Sequence, residues 1–265
     1  MLRGGVGAVT VTICMFMASA LCLCSQFRAV WTIALPYWPR RFRSGISLRI
    51  LQGYCGQKME DRADRPDMMR PNPWRLAALL ILIVAVFGGA GLVKGAFYIG
   101  KHEGDTLHLA EIVLRMAAGQ WPHLDFMTPI GALAMAPLAL LVRLGAGLGH
   151  AIFLSQILVA LILMPAVIRV ARSRFGSPWG WAYGGFVMIL CVALVHGEAQ
   201  RAVSISMHYN RWSWAIAYVV LPLVMIAPEG RARPWLDGVI LGLGMAALVL
   251  IKATYFAALM PAVVV

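Results

Sequence analysis

The stretch LAALLILIVAVFGGAGLV, residues 76–93, runs 18 residues without a charge and follows Arg70 and Arg75. In hydrocarbon no water meets a backbone amide or carbonyl, so such a run closes its hydrogen bonds internally, as a helix. At a rise of 1.5 Å per residue, about 20 residues cross a hydrocarbon core about 30 Å thick. Uncharged runs recur at Leu144–Ile168, Phe175–Gly197 and Trp212–Pro228. The expected fold is therefore all-α: a polytopic transmembrane helical bundle, with spans at about 76–97, 150–168, 177–196, 212–228 and 236–252.

Two segments are less regular. Pro129–Val142 is apolar for only 14 residues, and GAGLG (145–149) separates it from the next run, so a short or shallow helix is expected over 130–144. The final run, Gly238–Val265, is interrupted by Lys252 and Pro261 and predicts one span followed by the start of another. It ends in apolar sequence, which predicts a truncated C-terminus for the bundle of residues 76–265.

Residues 1–57 form an atypical N-terminal segment. Val6–Leu23 is apolar between Arg3 and Arg28 and reads as an extra span or the apolar part of a signal peptide. Met59, Met68 and Met69 each stand just before the first clear span, so a misassigned start, with residues 1–58 untranslated, is a second reading. Residues 58–75 form a basic segment expected on the cytosolic side.

Composition agrees with a membrane class. The chain is 61% hydrophobic and 13% charged, against about 25% charged in soluble domains. Its formal charge of +12 is carried mainly at the ends of apolar runs, which is topology signal rather than a nucleic-acid surface. No nucleic-acid partner is expected. The five cysteines have no metal-ligand spacing; Cys22 and Cys24 lie inside an apolar run with no histidine near. Lys58–Arg75, Arg169/Arg172/Arg174 and Arg231/Arg233 are the natural cytosolic anchors, which places loops 98–128 and 197–211 together on the outer face. The expected location is the cell inner (plasma) membrane.

The first outer loop reads GKHEGDTLHLAEIVLRMAAGQWPHLDFMTPIG (100–131). Asp105 is placed to cap a helix from Thr106 to about Ala118, closed by Gly119. Asp105, His108, Glu111 and Arg115 share one stripe by spacing, and Leu107, Ala110 and Leu114 face away, toward the membrane. Asp105 or Glu103 can serve as a general base toward an acceptor hydroxyl, or can ligate a divalent cation such as Mg or Mn. The plainer alternative keeps Asp105 as a cap and Glu111–Arg115 as a surface pair. Asp125, stiffened between Pro122 and Pro129, either serves the site or caps the turn that follows it.

The second outer loop, HGEAQRAVSISMHYNRWSWA (196–215), carries Glu198, Arg201, His208, Tyr209, Asn210 and Arg211. An arginine or histidine here can hold a phosphate by charge-assisted hydrogen bonds. Lys252, near the outer end of its helix, either snorkels or contacts a phosphate.

The stretch HEGDTLHLAEIVLRMAAGQWPHLDFMTPIG (102–131) resembles the first outer loop of the multi-pass GT-C class glycosyltransferases: the dolichyl- and polyprenyl-phosphate sugar transferases and the protein O-mannosyltransferase-like group. Asp105 matches their acidic residue after the first span, Gly119 the helix-ending glycine, and Asp125–Phe126 the Pro-x-x-Asp-Phe turn. HYNRW (208–212) and IKATYF (251–256) resemble later features of bacterial members. Many relatives carry adjacent Asp-Glu where this chain has Glu103-Gly104-Asp105, and relatives are usually longer. The resemblance implies a polyprenyl-phosphate-linked sugar donor, an acceptor outside the cytosol and often a divalent metal. It makes Asp105 the catalytic carboxylate with Asp125 in support, and turns His208, Arg211 and Lys252 toward the lipid phosphate. Glu103 joins the catalytic and metal candidates, and His108 and Asn210 the substrate-binding ones.

Two other classes fit the same sequence. A polar-lipid transporter or flippase would place charged or broken-helix sites near mid-membrane. A non-catalytic membrane fragment would need no site. No GxxxxGK[ST] stretch and no alternating strand–helix pattern is present, so ATP-driven transport by this chain is not expected.

Overall fold

The structure, a computed structural model, describes residues 70–94, 103–193, 206–228 and 233–264; the side chains of Lys94, Glu103, Ser206, Met207 and Val264 lie outside that description. The expectations for residues 1–69, for Glu198 and Arg201, and for Arg231 fall on other residues. The described residues are mainly helical, with a longer non-helical stretch at 118–131 and no strand among them. In order, the elements are α1 (Pro73–Ile83), a π-helical turn (Val84–Gly88), α2 (Gly89–Lys94), α3 (Glu103–Ala117), α4 (Ala132–Arg143), α5 (Leu148–Arg174), α6 (Ser177–Val192), α7 (Ser206–Met225), α8 (Pro234–Ile251) and α9 (Ala253–Val264).

Three helices are long and apolar enough to cross a membrane: Pro73–Val93, Leu148–Arg174 and Pro234–Ile251. The chain is an all-α membrane bundle. α6 has 16 residues, or about 24 Å, because Ala193 closes it earlier than the apolar run to residue 196 implies. α7 begins at Ser206 rather than Trp212, so its first turns carry the polar HYNR stretch and only the remainder is apolar. α4, with 12 residues, is about 18 Å long and too short to cross.

Two apolar cores hold the bundle. In one, Leu76, Leu80 and Val84 of α1 and its π-helical turn pack with Val167 and Ala171 of α5, Val187 and Cys191 of α6, and Ala215 and Val219 of α7. In the other, Leu109, Ile112, Val113 and Met116 of α3 pack with Ala134, Met135 and Leu138 of α4, Trp212 and Ile216 of α7, and Leu248 and Ile251 of α8. Inside the second core the Trp212 indole donates to Gln156 Oε1 at 2.9 Å, satisfying a polar group that would otherwise be stranded.

The described arginines of the three anchor groups gather at one end. Arg172 Nε donates to Pro71 O at 3.2 Å, and Arg169 and Arg174 both pair with Asp237 in the first turn of α8, at 2.9 and 2.8 Å. Trp74, Trp179 and Trp235, each following a proline at a helix start, are exposed at that same end. Amphipathic aromatic rings of this kind concentrate at membrane–water interfaces.

The opposite end carries the α3–α4 layer. Gly131 is the joint. Its N–H donates to Ile251 O at 3.1 Å, satisfying the last carbonyl of α8. The helix breaks there: Lys252 is extended at φ −162, ψ 106, and α9 starts at the next residue. Thus Lys252 interrupts the final run, whereas Pro261, the other expected interruption, lies inside α9.

Candidate functional site

α3 differs from its expected form in two ways. It starts at Glu103, so Asp105 lies inside the first turn and is not the N-cap. It also has three faces rather than two. Asp105, His108 and Glu111 are exposed together, and Leu107 and Leu114 are exposed on a second face. Leu109, Ile112, Val113 and Met116 make a third face, buried against α4 and α7. The last face exists because the protein itself covers α3, a long-range packing event that local spacing does not encode.

The C-terminus of α3 is closed as expected by Gly119, at φ +98, where a side chain would be strained. Arg143 Nε donates to Ala117 O at 3.0 Å and fixes the end of α4 to the end of α3. Arg115 pairs with Glu111 at 3.6 Å, donates to Gln120 Oε1 at 2.7 Å and lies 4.2 Å over the Phe126 ring. Asp125 is spent on its own turn: its Oδ2 accepts from the Trp121 N–H at 2.6 Å. The turn it closes is the one that precedes it, residues 121–125, and not the following turn that the sequence suggested.

At the start of α7 the polar residues separate. His208 is fully buried, with Nε2 2.9 Å from Ala134 O. A carbonyl only accepts, so Nε2 carries the proton in this contact. The ring also stands edge-on to Trp212 at 4.8 Å. These contacts put His208 in the packing between α4 and α7. Arg211 Nη1 donates to Ala193 O, closing the end of α6. His108 stays on the exposed stripe of α3.

Asn210 and Lys252 do meet. Lys252 Nζ donates to Asn210 Oδ1 at 3.5 Å, and Tyr255 Oη donates to the same oxygen at 3.4 Å. Lys252 Nζ lies 5.6 Å from the Tyr209 ring centroid. Tyr209 precedes the apolar part of α7, and its phenol is held above its usual range, first by burial, then by the Asp105 carboxylate and the Tyr255 phenol. Asp105 is therefore an electrostatic neighbour of the same cluster. The helix break brings the Lys252 ammonium, the Asn210 amide and the Tyr255 phenol together beside the Tyr209 ring, at the end of the bundle opposite the arginines. Tyr255 was not singled out by sequence; its spacing of three from Lys252 in IKATYF, across a helix start, is the signal that would have found it.

This neighbourhood gives a direct test. Asp105→Asn removes a carboxylate that disfavours the Tyr209 phenolate, so ionisation of Tyr209 should shift to lower pH. An ultraviolet titration of the purified protein, with Tyr209→Phe to assign the transition, measures it. An unmoved transition would place Asp105 away from the cluster.

The cation site expected at Asp105 and Glu103 involves a side chain, that of Glu103, outside the described residues. Among the described residues no three His, Cys, Asp or Glu side chains converge, and Lys252 already supplies a positive charge beside Asn210. No family model, curated protein or solved structure matches this chain.

Proposed function

We propose that this chain is a glycosyltransferase of the inner (plasma) membrane that moves a sugar from a lipid-phosphate-linked donor to an acceptor on the non-cytosolic face. The observation that carries this reading is the meeting of Lys252, Asn210 and Tyr255 beside the Tyr209 ring at the α8–α9 break, with the Asp105 carboxylate acting on the Tyr209 phenol. Asp105 is exposed, and a carboxylate can take the proton of an acceptor hydroxyl. The hydroxyl oxygen then bonds to the anomeric carbon as the bond from that carbon to the phosphate oxygen breaks. The electron pair leaves with the lipid phosphate, whose charge the Lys252 ammonium offsets and to which the phenols and the Asn210 amide can donate.

The transporter reading keeps one supporting feature, the broken helix. That break lies after the 18 residues of α8, at the end of the bundle and not halfway along it, which favours chemistry at the membrane surface.

Sugar transfer from a radiolabelled polyprenyl-phosphate sugar pool, in membranes carrying the protein or Asp105→Asn at equal level, tests the proposal. Loss of a general base is expected to lower transfer by about 10²- to 10⁴-fold. Equal transfer by both forms would overturn the role of Asp105. Carrier movement between leaflets without transfer would replace the enzyme with a lipid transporter.

A further inference from the structure

We propose that the arginine end of the bundle binds the phosphate of an anionic phospholipid in the adjoining leaflet, at the cluster Arg169, Arg174 and Asp237. The proposal is independent of the glycosyltransferase reading.

Two guanidinium groups meet one carboxylate, and the three side chains keep only 18%, 5% and 13% of their surface accessible in the order just named. One positive charge is left over in a poorly solvated place, where water cannot offset it. The donors are also in surplus. Arg174 Nη2 serves Asp237 and Leu223 O, whereas its Nε and Nη1 are buried without a hydrogen-bond partner, as is Ser173 Oγ. Buried guanidinium nitrogens are almost always partnered, so this cluster is built for one more anion than the described residues supply. α6 begins three residues after Arg174, with Gly176 as N-cap and no side-chain cap, and so directs free N–H groups and a positive dipole end to the same junction.

A phosphate answers this chemistry, and its source is set by position. Trp74, Trp179 and Trp235 are exposed at this end, on the first turns of α1, α6 and α8, which puts the cluster at headgroup depth. By the arginine distribution this is the cytosolic leaflet, where anionic lipids collect. Arg169, the most accessible member, is the contact a headgroup meets; Arg174 supplies charge with little exposure of its own.

The test is thermal unfolding of the purified full chain in nanodiscs of phosphatidylcholine alone or with phosphatidylglycerol. The midpoint should rise by about 3–5 °C with the anionic lipid. Arg169→Gln should lose most of that increment. Arg75→Gln, which removes an exposed charge at the same end, should keep it. An equal loss in both variants would reduce the effect to general surface charge and overturn the proposal. So would a wild-type midpoint indifferent to phosphatidylglycerol. An equal rise from inorganic phosphate in phosphatidylcholine discs would overturn the lipid as the occupant. A second readout needs no variant: lipid retained through gel filtration from an equal mixture should be enriched in phosphatidylglycerol, and retention at the bulk ratio would overturn the proposal.

Discussion

Gly131→Val should prevent α4 from docking on α8 and leave little folded protein. A β-carbon at residue 131 would stand 2.0 Å from Leu250 O and 2.5 Å from its carbonyl carbon. Both are backbone atoms, so no rotamer change relieves the clash; α4 and α8 must separate. Separation breaks the hydrogen bond from Gly131 N–H to Ile251 O and strands the terminal carbonyl of α8 in an apolar setting. It also opens the core between Ala134, Met135 and Leu138 and the residues Leu248 and Ile251. Overpacking and a lost buried hydrogen bond together cost about 3 kcal/mol or more. Thermal unfolding of purified protein measures the loss, with Gly238→Ala as control. A methyl group added at Gly238, on α8, would meet nothing within 4 Å, so alanine there should be neutral or slightly stabilising. A Gly131→Val protein as stable as the control would show that α4 does not sit on the α8 terminus. Because the same joint sets Lys252 beside Asn210, partial unfolding there should also abolish any activity that depends on the cluster.

Asp237→Ala should be nearly as damaging, through charge and not shape. Among the described residues Asp237 is the one carboxylate that both Arg169 and Arg174 contact. Without it two poorly solvated guanidiniums of α5 are left at the α5–α8 junction with their shared carboxylate gone, and breaking a buried pair in this way costs about 3–5 kcal/mol. The loss should appear in unfolding experiments in zwitterionic detergent and respond little to salt, since screening acts weakly on buried charges. Replacing Arg169, Arg174 and Asp237 together with leucine or methionine should recover most of the stability, because the desolvation cost leaves with the charges. A mild effect of Asp237→Ala alone would mean that the guanidiniums are hydrated or neutralised by another anion, which unfolding with and without phosphatidylglycerol would distinguish.

Much of this architecture was readable in the chain. Uncharged runs of sufficient length can only be helices where backbone groups have no water, so residues 76–93, the long run ending at Ile168 and the run before Lys252 were each legible as spans. Glycine at 119 marked a helix end by local chemistry alone, and lysine at 252 marked the end of an apolar run. Covalent spacing likewise put Asp105, His108 and Glu111 on one exposed stripe. The cluster partners were not legible in the same way. Asp105 and Tyr209 are 104 positions apart, and Asn210 and Lys252 42; no local periodicity relates them. The burial of His208 under Ala134 and the service of Arg211 to the α6 terminus also depend on which helix arrives beside them. Hydropathy and spacing are properties of neighbours along the chain, and they settled that this protein is an α-helical membrane bundle with a polar, helix-bearing loop. Which polar residues were consumed in holding helices together, and which were left facing one another at the α8–α9 break, followed from how those helices pack, because a hydrogen bond goes to whatever partner the fold brings within about 3 Å.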